Sequence, residues 1–333
     1  MLVEVRNHGK NIKEIILVSP KGQIVSLLNI GATLYRWVTV QQREIVARYN
    51  NIEDYLSNKM SFGATIGMNS GRLENSEFIL EGQKYKLSGS HPHFLHGGDD
   101  KLSLRFFDFE IFQKKEAVEV LFYHEYTHEV LPGTQNIKVS YLVSEGSIQI
   151  TYDVTTDRAM LCNFTNHTYF NLDGDFNSTI DHHELKVPAS KVVIVDDEMI
   201  GRKVIDVDGT DFDFRIQKDV LKSALNIEAM FPKVKGIDHY FLLDESVTQL
   251  YSRKTKTLLK VKTSLPGITI YTTNYPNQEL IQTNLPLGLH HAICLEPQFQ
   301  SNAINDHRFE VGLVTPKHPY HQKIEFSLEE NAI

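Results

Sequence analysis

Ile148-Gln149-Ile150-Thr151-Tyr152-Asp153-Val154-Thr155 alternates apolar and polar side chains without a break. Only a half-buried strand sorts such a pattern onto one apolar and one polar face. Similar runs lie at Val118 to Tyr123, Ile137 to Val143, Val261 to Thr263, Ile268 to Thr272 and Ile324 to Leu328, all rich in β-branched and aromatic residues. Between them stand turn formers: Glu81-Gly82, Pro132-Gly133, Glu145-Gly146, Asp173-Gly174-Asp175, Asp208-Gly209 and Pro266-Gly267. Short reversals of this kind predict antiparallel pairing. Helical periodicity is confined to Asp54 to Lys59 and Lys218 to Ile227, each read as about two turns. The expectation is an all-β chain, a large antiparallel β-sandwich with few short helices. No Pro/Ser-rich linker, low-complexity tract or repeat interrupts it, so residues 1–333 are expected to form a single domain.

The 333 residues permit a deep core, and 41% hydrophobic with 23% charged residues is ordinary for a globular protein. A formal net charge of -8 argues against nucleic acid or an anionic membrane as partner, because both demand a concentrated positive field. A neutral small molecule suits this balance better. Cys162 and Cys294, the two cysteines, sit among apolar residues and read as buried free thiols of a reducing compartment. Met1-Leu2-Val3-Glu4-Val5-Arg6 has neither the basic start nor the apolar run of a signal peptide, so the expected location is cytoplasmic.

Polar groups recur inside apolar, strand-like contexts: Gly71-Arg72, Leu95-His96-Gly97-Gly98, Asn166 to Leu172, Gly236-Ile237-Asp238-His239 and Cys294-Leu295-Glu296-Pro297-Gln298. Burying such groups without partners is expensive, so together they predict one polar pocket. In Asn166-His167-Thr168-Tyr169-Phe170-Asn171-Leu172 the polar residues outnumber what a core strand tolerates, and some are expected to face a cavity or solvent. His167 is either a core histidine bonded to a carbonyl or a proton donor, since imidazole changes charge nearest neutral pH. Alternation puts Glu296 on the face of Cys294, opposite Ile293 and Leu295. It is a rim charge or, facing the pocket, a base that stays ionised at neutral pH between the opposing pulls of burial and a nearby imidazolium. Asp238 reads as a ligand-hydroxyl acceptor or a turn cap. Arg72, behind the freed backbone of Gly71, is a cleft donor or a plain surface arginine.

His91-Pro92-His93-Phe94-Leu95-His96 brings imidazoles close together, but Pro92 breaks metal-ligand spacing and Gly97-Gly98 suggests a turn that presents His96 alone. His182-His183 and His290-His291 read as surface or supporting residues. No metal site is expected. Dinucleotide, phosphate-loop and nucleophile-elbow patterns are absent from the sequence, so no cofactor is expected either.

In this order, the segments resemble the galactose mutarotase (aldose 1-epimerase) family over Gly63 to Asn305. The resemblance implies a sandwich with a sugar cleft, Glu296 as general base, His167 as general acid, and Arg72, His96 and Asp238 as substrate-binding residues. It further implies anomer interconversion of free aldoses such as D-galactose or D-glucose, by ring opening and reclosure, in a monomer or homodimer. A bell-shaped pH dependence follows, with the acid limb tied to Glu296 and the basic limb to His167. The chain departs from the commoner family pattern at Met68 and Gly71, where an arginine and an asparagine are usual, and at Pro297 and Ser301, where threonine and proline are. The alternatives are an epimerase of a phosphorylated or different sugar, which would need a cation cluster by the cleft, and a noncatalytic sugar-binding protein.

Overall fold

The computed structural model describes residues 1–88, 92–131 and 133–332. The strand that opens the sequence argument runs Ser147–Thr156, with Ile148, Ile150, Tyr152 and Val154 at most 1% exposed. It sits inside a nine-stranded sheet ordered Asp108–Gln113, Ala117–Thr127, Thr134–Ser144, Ser147–Thr156, Tyr320–Glu330, Thr257–Thr263, Val247–Ser252, His183–Lys186 and Lys218–Asp219. A six-stranded sheet is ordered Tyr169–Phe170, Ile293–Gln298, Gly267–Tyr271, Asp238–Leu242, Lys191–Val195 and Gly201–Asp206. Every pairing in both is antiparallel. Leu2–Asn7, Lys13–Val18, Ile24–Leu28 and Thr33–Val38 make a separate four-stranded meander.

The inner faces of the two large sheets share one apolar cluster, in which Ile148, Ile150 and Phe326 from the first join Ile268, Ile270, Ile293 and Leu295 from the second. Phe170 and Phe326 meet across it with ring centroids 5.3 Å apart. Burying one face of each sheet against the other is what makes a sandwich, and it leaves the far face of the six-stranded sheet free to carry polar groups.

Each alternating run named in the sequence coincides with a strand, although Ile268 to Thr272 runs one residue past the end of Gly267–Tyr271. The helical runs differ. Asp54 to Lys59 shrinks to a single 3-10 turn at Ile52–Leu56, because Asn51 caps it by accepting from Glu53 N and the chain turns back at Ser57, whose N–H bonds Asp54 O. The second helix starts later, at Val220–Met230: Asp219 accepts from Lys222 N as its N-cap, while Lys218 and Asp219 pair with Leu185 and Glu184. Pro266-Gly267 is not a hairpin reversal, since it carries the chain from the nine-stranded to the six-stranded sheet. Gly267 is already strand, and a Cβ there would stand 2.2 Å from the Tyr240 ring. The reversal read at Pro132-Gly133 includes Pro132, which lies outside the described residues.

Candidate functional site

The free face of the six-stranded sheet is the floor of a cavity of about 280 Å³, near the size of small-molecule sites. Register builds this floor in rows. Tyr169, Cys294, Tyr271 and Asp238 are direct cross-strand neighbours in turn. One row along come Glu296, Thr269, Tyr240 and Val193. Period two therefore turns Cys294 and Glu296 to one side while Ile293 and Leu295 enter the apolar core.

His167 reaches this floor from a connecting segment. Its N–H donates to Ala64 O at 3.0 Å and its carbonyl accepts from Gly63 N at 2.9 Å. Gly63 adopts φ +62°, and a Cβ there would meet Leu34 O at 2.0 Å, so glycine alone fits. Of the polar residues in this segment, His167 and Tyr169 line the cavity, while Asn166, Thr168 and Asn171 are buried in the interior. Asn166 Nδ2 donates to Gly63 O and Tyr141 Oη, Thr168 Oγ1 donates to Asn166 Oδ1, and Asn171 Nδ2 donates to Asp175 O and His291 O. Interior hydrogen bonds absorb them.

Arg72 and His96 arrive on a short ladder in which Arg72 pairs with Leu95. Gly71 N donates to His96 Nδ1 at 3.1 Å, which leaves the proton of the neutral ring on Nε2. His96 itself has φ +52°, and the next two glycines are required: a Cβ at Gly97 would meet Gly67 O at 2.5 Å, and one at Gly98 the Phe94 ring at 2.5 Å. Gly71 likewise has φ +72°, and Ser301 Oγ fills the space of its missing side chain, 1.9 Å from where a Cβ would stand. Arg72 Nη1 faces Asp238 Oδ2 at 4.0 Å, and both are part-buried. Asp238 is no turn cap: Ile237 N–H bonds Thr272 Oγ1, and Asp238 lines the cavity. Met68 points away, wholly buried in the core.

The structure thus brings Arg72, His96, His167, Asp238 and Glu296 together around one cavity. Sequence reasoning did not single out Tyr169, Tyr240, Thr269 and Tyr271, which line it too. Their signal was available for the strand Gly267–Tyr271, where Ile268 and Ile270 face the core and alternation leaves Thr269 and Tyr271 for the opposite side. The histidine run disperses. His91 lies outside the described residues, His93 Nδ1 accepts from Asn75 N, and only His96 of the described members lines the large cavity. His183 and His290 are buried rather than superficial: Leu172 N donates to His183 Nε2, and His290 Nδ1 bonds Thr272 O.

His167 Nε2 stands 3.5 Å from Glu296 Oε1, with the residues 6% and 3% exposed. Tyr169 stacks on the imidazole at 5.0 Å, His96 meets it edge-on at 5.3 Å, and Cys294 Sγ lies 3.6 Å from Nδ1. Burial pushes His167 down to about 4. Burial first and the Asp238 carboxylate second hold Glu296 well above the usual carboxylate range. Both shifts run toward a neutral pair: burial opposes the imidazolium on His167 and the carboxylate on Glu296. That direction runs against the ionised glutamate expected from sequence, because burial disfavours the carboxylate and the nearest imidazole is itself pushed toward its neutral form. Burial also lowers His96 well below its ordinary value and raises Asp238 against the pull of Arg72.

Among the described residues, His167, Cys294 and Glu296 form one group whose donor atoms lie within 4.8 Å of one another. Yet the thiol is matched to Nδ1 and the carboxylate to Nε2, and one imidazole cannot offer both nitrogens to a single ion. Cys162 and Cys294 are both free and buried. No helix among the described residues is long and apolar enough to cross a membrane.

Comparison with known proteins agrees with this geometry. The family model described as aldose 1-epimerase matches residues 13–327. Galactose mutarotase of Sus scrofa is 28% identical over 288 residues, 83% of this chain and 81% of that one. Aldose 1-epimerase of Escherichia coli (strain K12) is 29% identical over 310 residues, 89% of each chain. Among solved structures, an aldose epimerase homologue from C. elegans superposes with a TM-score of 0.85 at 26% identity, covering 99% of both chains. With the match spanning both large sheets and the residues of the cavity floor, this chain belongs to the aldose 1-epimerase family of isomerases.

Proposed function

We propose that this protein interconverts the α and β anomers of a free, unphosphorylated aldose bound on the face of the six-stranded sheet. The observation that carries the reading is the His167–Glu296 pair, 3.5 Å apart and buried on the cavity floor. Ring opening needs one proton removed from the anomeric hydroxyl and one delivered to the ring oxygen. A Glu296 carboxylate takes the first and a His167 imidazolium gives the second as the bond from C1 to the ring oxygen breaks and the aldehyde forms. Rotation about C1–C2 presents the other carbonyl face, and reclosure returns both protons.

This cycle conserves the proton count of the pair. The ion pair that attacks the cyclic sugar and the neutral pair that faces the open aldehyde each hold one exchangeable proton. Burial favours the neutral arrangement, the one that faces the open aldehyde. Acid–base assistance of this kind contributes roughly 10² to 10⁴ in rate.

Arg72, Asp238 and the Nε2–H of His96 offer charged and neutral hydrogen-bonding groups suited to sugar hydroxyls, and the tyrosines offer faces for its C–H surface. A phosphorylated aldose is a poorer fit: the cations lining the cavity, Arg72 and Lys59, face Asp238 and Glu279. Polarimetry on freshly dissolved α-D-glucose and α-D-galactose tests the reading. Faster approach to the equilibrium rotation is expected, and no acceleration with either sugar overturns it.

A further inference from the structure

Cys294 lies beneath the reacting pair, and the acid–base cycle does not use it. It is 0% exposed, and it occupies the middle of a three-strand row, paired with Tyr169 on one side and Tyr271 on the other. Its neighbours Ile293 and Leu295 are anchored in the core. A side chain carried by such a ladder has little freedom, which holds Sγ 3.6 Å from His167 Nδ1.

The two ring nitrogens of His167 therefore have different partners, sulfur at Nδ1 and carboxyl oxygen at Nε2. A neutral imidazole carries one N–H and one lone pair, and what each nitrogen faces decides which is which. Nε2 is the nitrogen on the Glu296 side, so in the proposed step it is the one that gives up its proton and is left with the lone pair. Nδ1 then carries the ring proton and needs an acceptor of its own. The thiol sulfur, 3.6 Å away, is the side-chain group placed to be that acceptor. Burial, with the nearby Glu296 and Asp238 carboxyls, keeps the thiol well above its ordinary value, so it stays a neutral partner that neither ionises nor takes the proton away.

We propose that Cys294 is a positioning residue: by accepting the Nδ1–H of His167 it fixes the imidazole tautomer, so that all proton exchange with Glu296 and the sugar passes through Nε2. The inference rests on the proposed acid–base role of His167. Without the sulfur, the neutral ring can carry its proton on Nε2 instead, which leaves no lone pair on that nitrogen to exchange it.

The test is long-range proton–nitrogen NMR on histidine-labelled protein, combined with anomerisation kinetics for wild type, Cys294→Ala and Cys294→Ser. In the wild type at neutral pH, His167 should show a protonated Nδ1 and an unprotonated Nε2; the reverse tautomer overturns the proposal with no variant needed. Cys294→Ala should lose that preference and lower kcat roughly three- to tenfold, the worth of one hydrogen bond, with KM nearly unchanged. Cys294→Ser, whose oxygen can accept the same proton, should restore both tautomer and kcat. An alanine variant that keeps the wild-type tautomer and kcat, or a serine variant that fails to restore what alanine lost, overturns the assignment. If acidic and basic limbs of the rate profile move, the groups to weigh are those that face His167: Glu296, His96, Tyr169, Tyr271 and the Lys101 charge. Failure of the wild type to anomerise any aldose would instead count against the proposed function, while the tautomer would still report on the contact.

Discussion

Thr269 and Glu296 are cross-strand neighbours, and that one register places the Glu296 carboxyl on the cavity floor within 3.5 Å of His167 Nε2. A slip by a single residue would turn Glu296 into the apolar core and Leu295 into the sugar site.

Glu296→Gln keeps the shape of the side chain and removes its ability to exchange a proton. Turnover measured by polarimetry should fall by roughly 10² to 10⁴, while sugar binding measured by calorimetry stays within a few-fold of wild type. A variant with wild-type turnover would show that another group is the base.

The pH profile should invert the assignment expected from sequence. The pair works with one shared proton, so the acid limb marks the second proton arriving on His167, near about pH 4. The alkaline limb marks loss of the proton held by Glu296, well above the usual carboxylate range. Both are macroscopic properties of the pair. Because Asp238 helps to hold Glu296 up, Asp238→Asn should draw the alkaline limb to lower pH; a limb that stays put would show that Asp238 does not act on the pair.

Stability should carry the cost of that burial. Unfolded Glu296 ionises near its ordinary value while folded Glu296 keeps its proton to higher pH, so the folded state binds more protons and its stability falls as pH rises through this window. Glu296→Gln removes the titration. Its Tm should exceed that of wild type at pH 8, and the gap should narrow as the pH is lowered toward the ordinary carboxylate value. An equal gap at both pH values would contradict the linkage.

Gly71 answers to Ser301. Gly71→Ala forces a side chain into φ +72° and into Ser301 Oγ, and should cost more than about 1 kcal/mol in chemical denaturation. Adding Ser301→Gly should return the part due to the clash and leave the part due to the backbone. Identical stability of single and double variants would rule out the contact.

The strands were legible because alternation is local. In Ser147–Thr156, burial of every second side chain is enough to specify extended chain and its inner face, whatever it packs against. The candidate residues were legible for a related reason: a histidine, aspartate or glutamate set into apolar strand has to be either satisfied internally or turned to a cavity. What could not be read is which of these applies. Asn166, Thr168 and Asn171 looked as suited to a pocket as His167, and only the positions of Gly63, Tyr141, Asp175 and His291 showed that they serve the interior.

Sequence alone thus determined a strand-rich antiparallel chain, the inward and outward faces of its strands, and the set of polar residues seeking a pocket, all of which follow from period-two geometry and the cost of burying charge. Tertiary structure decided the division of the strands between two sheets, the register that brings Glu296 to His167, and the burial of that pair. Those depend on distances between segments far apart in the chain and on the depth to which water is excluded, and neither is encoded in any local pattern of residues.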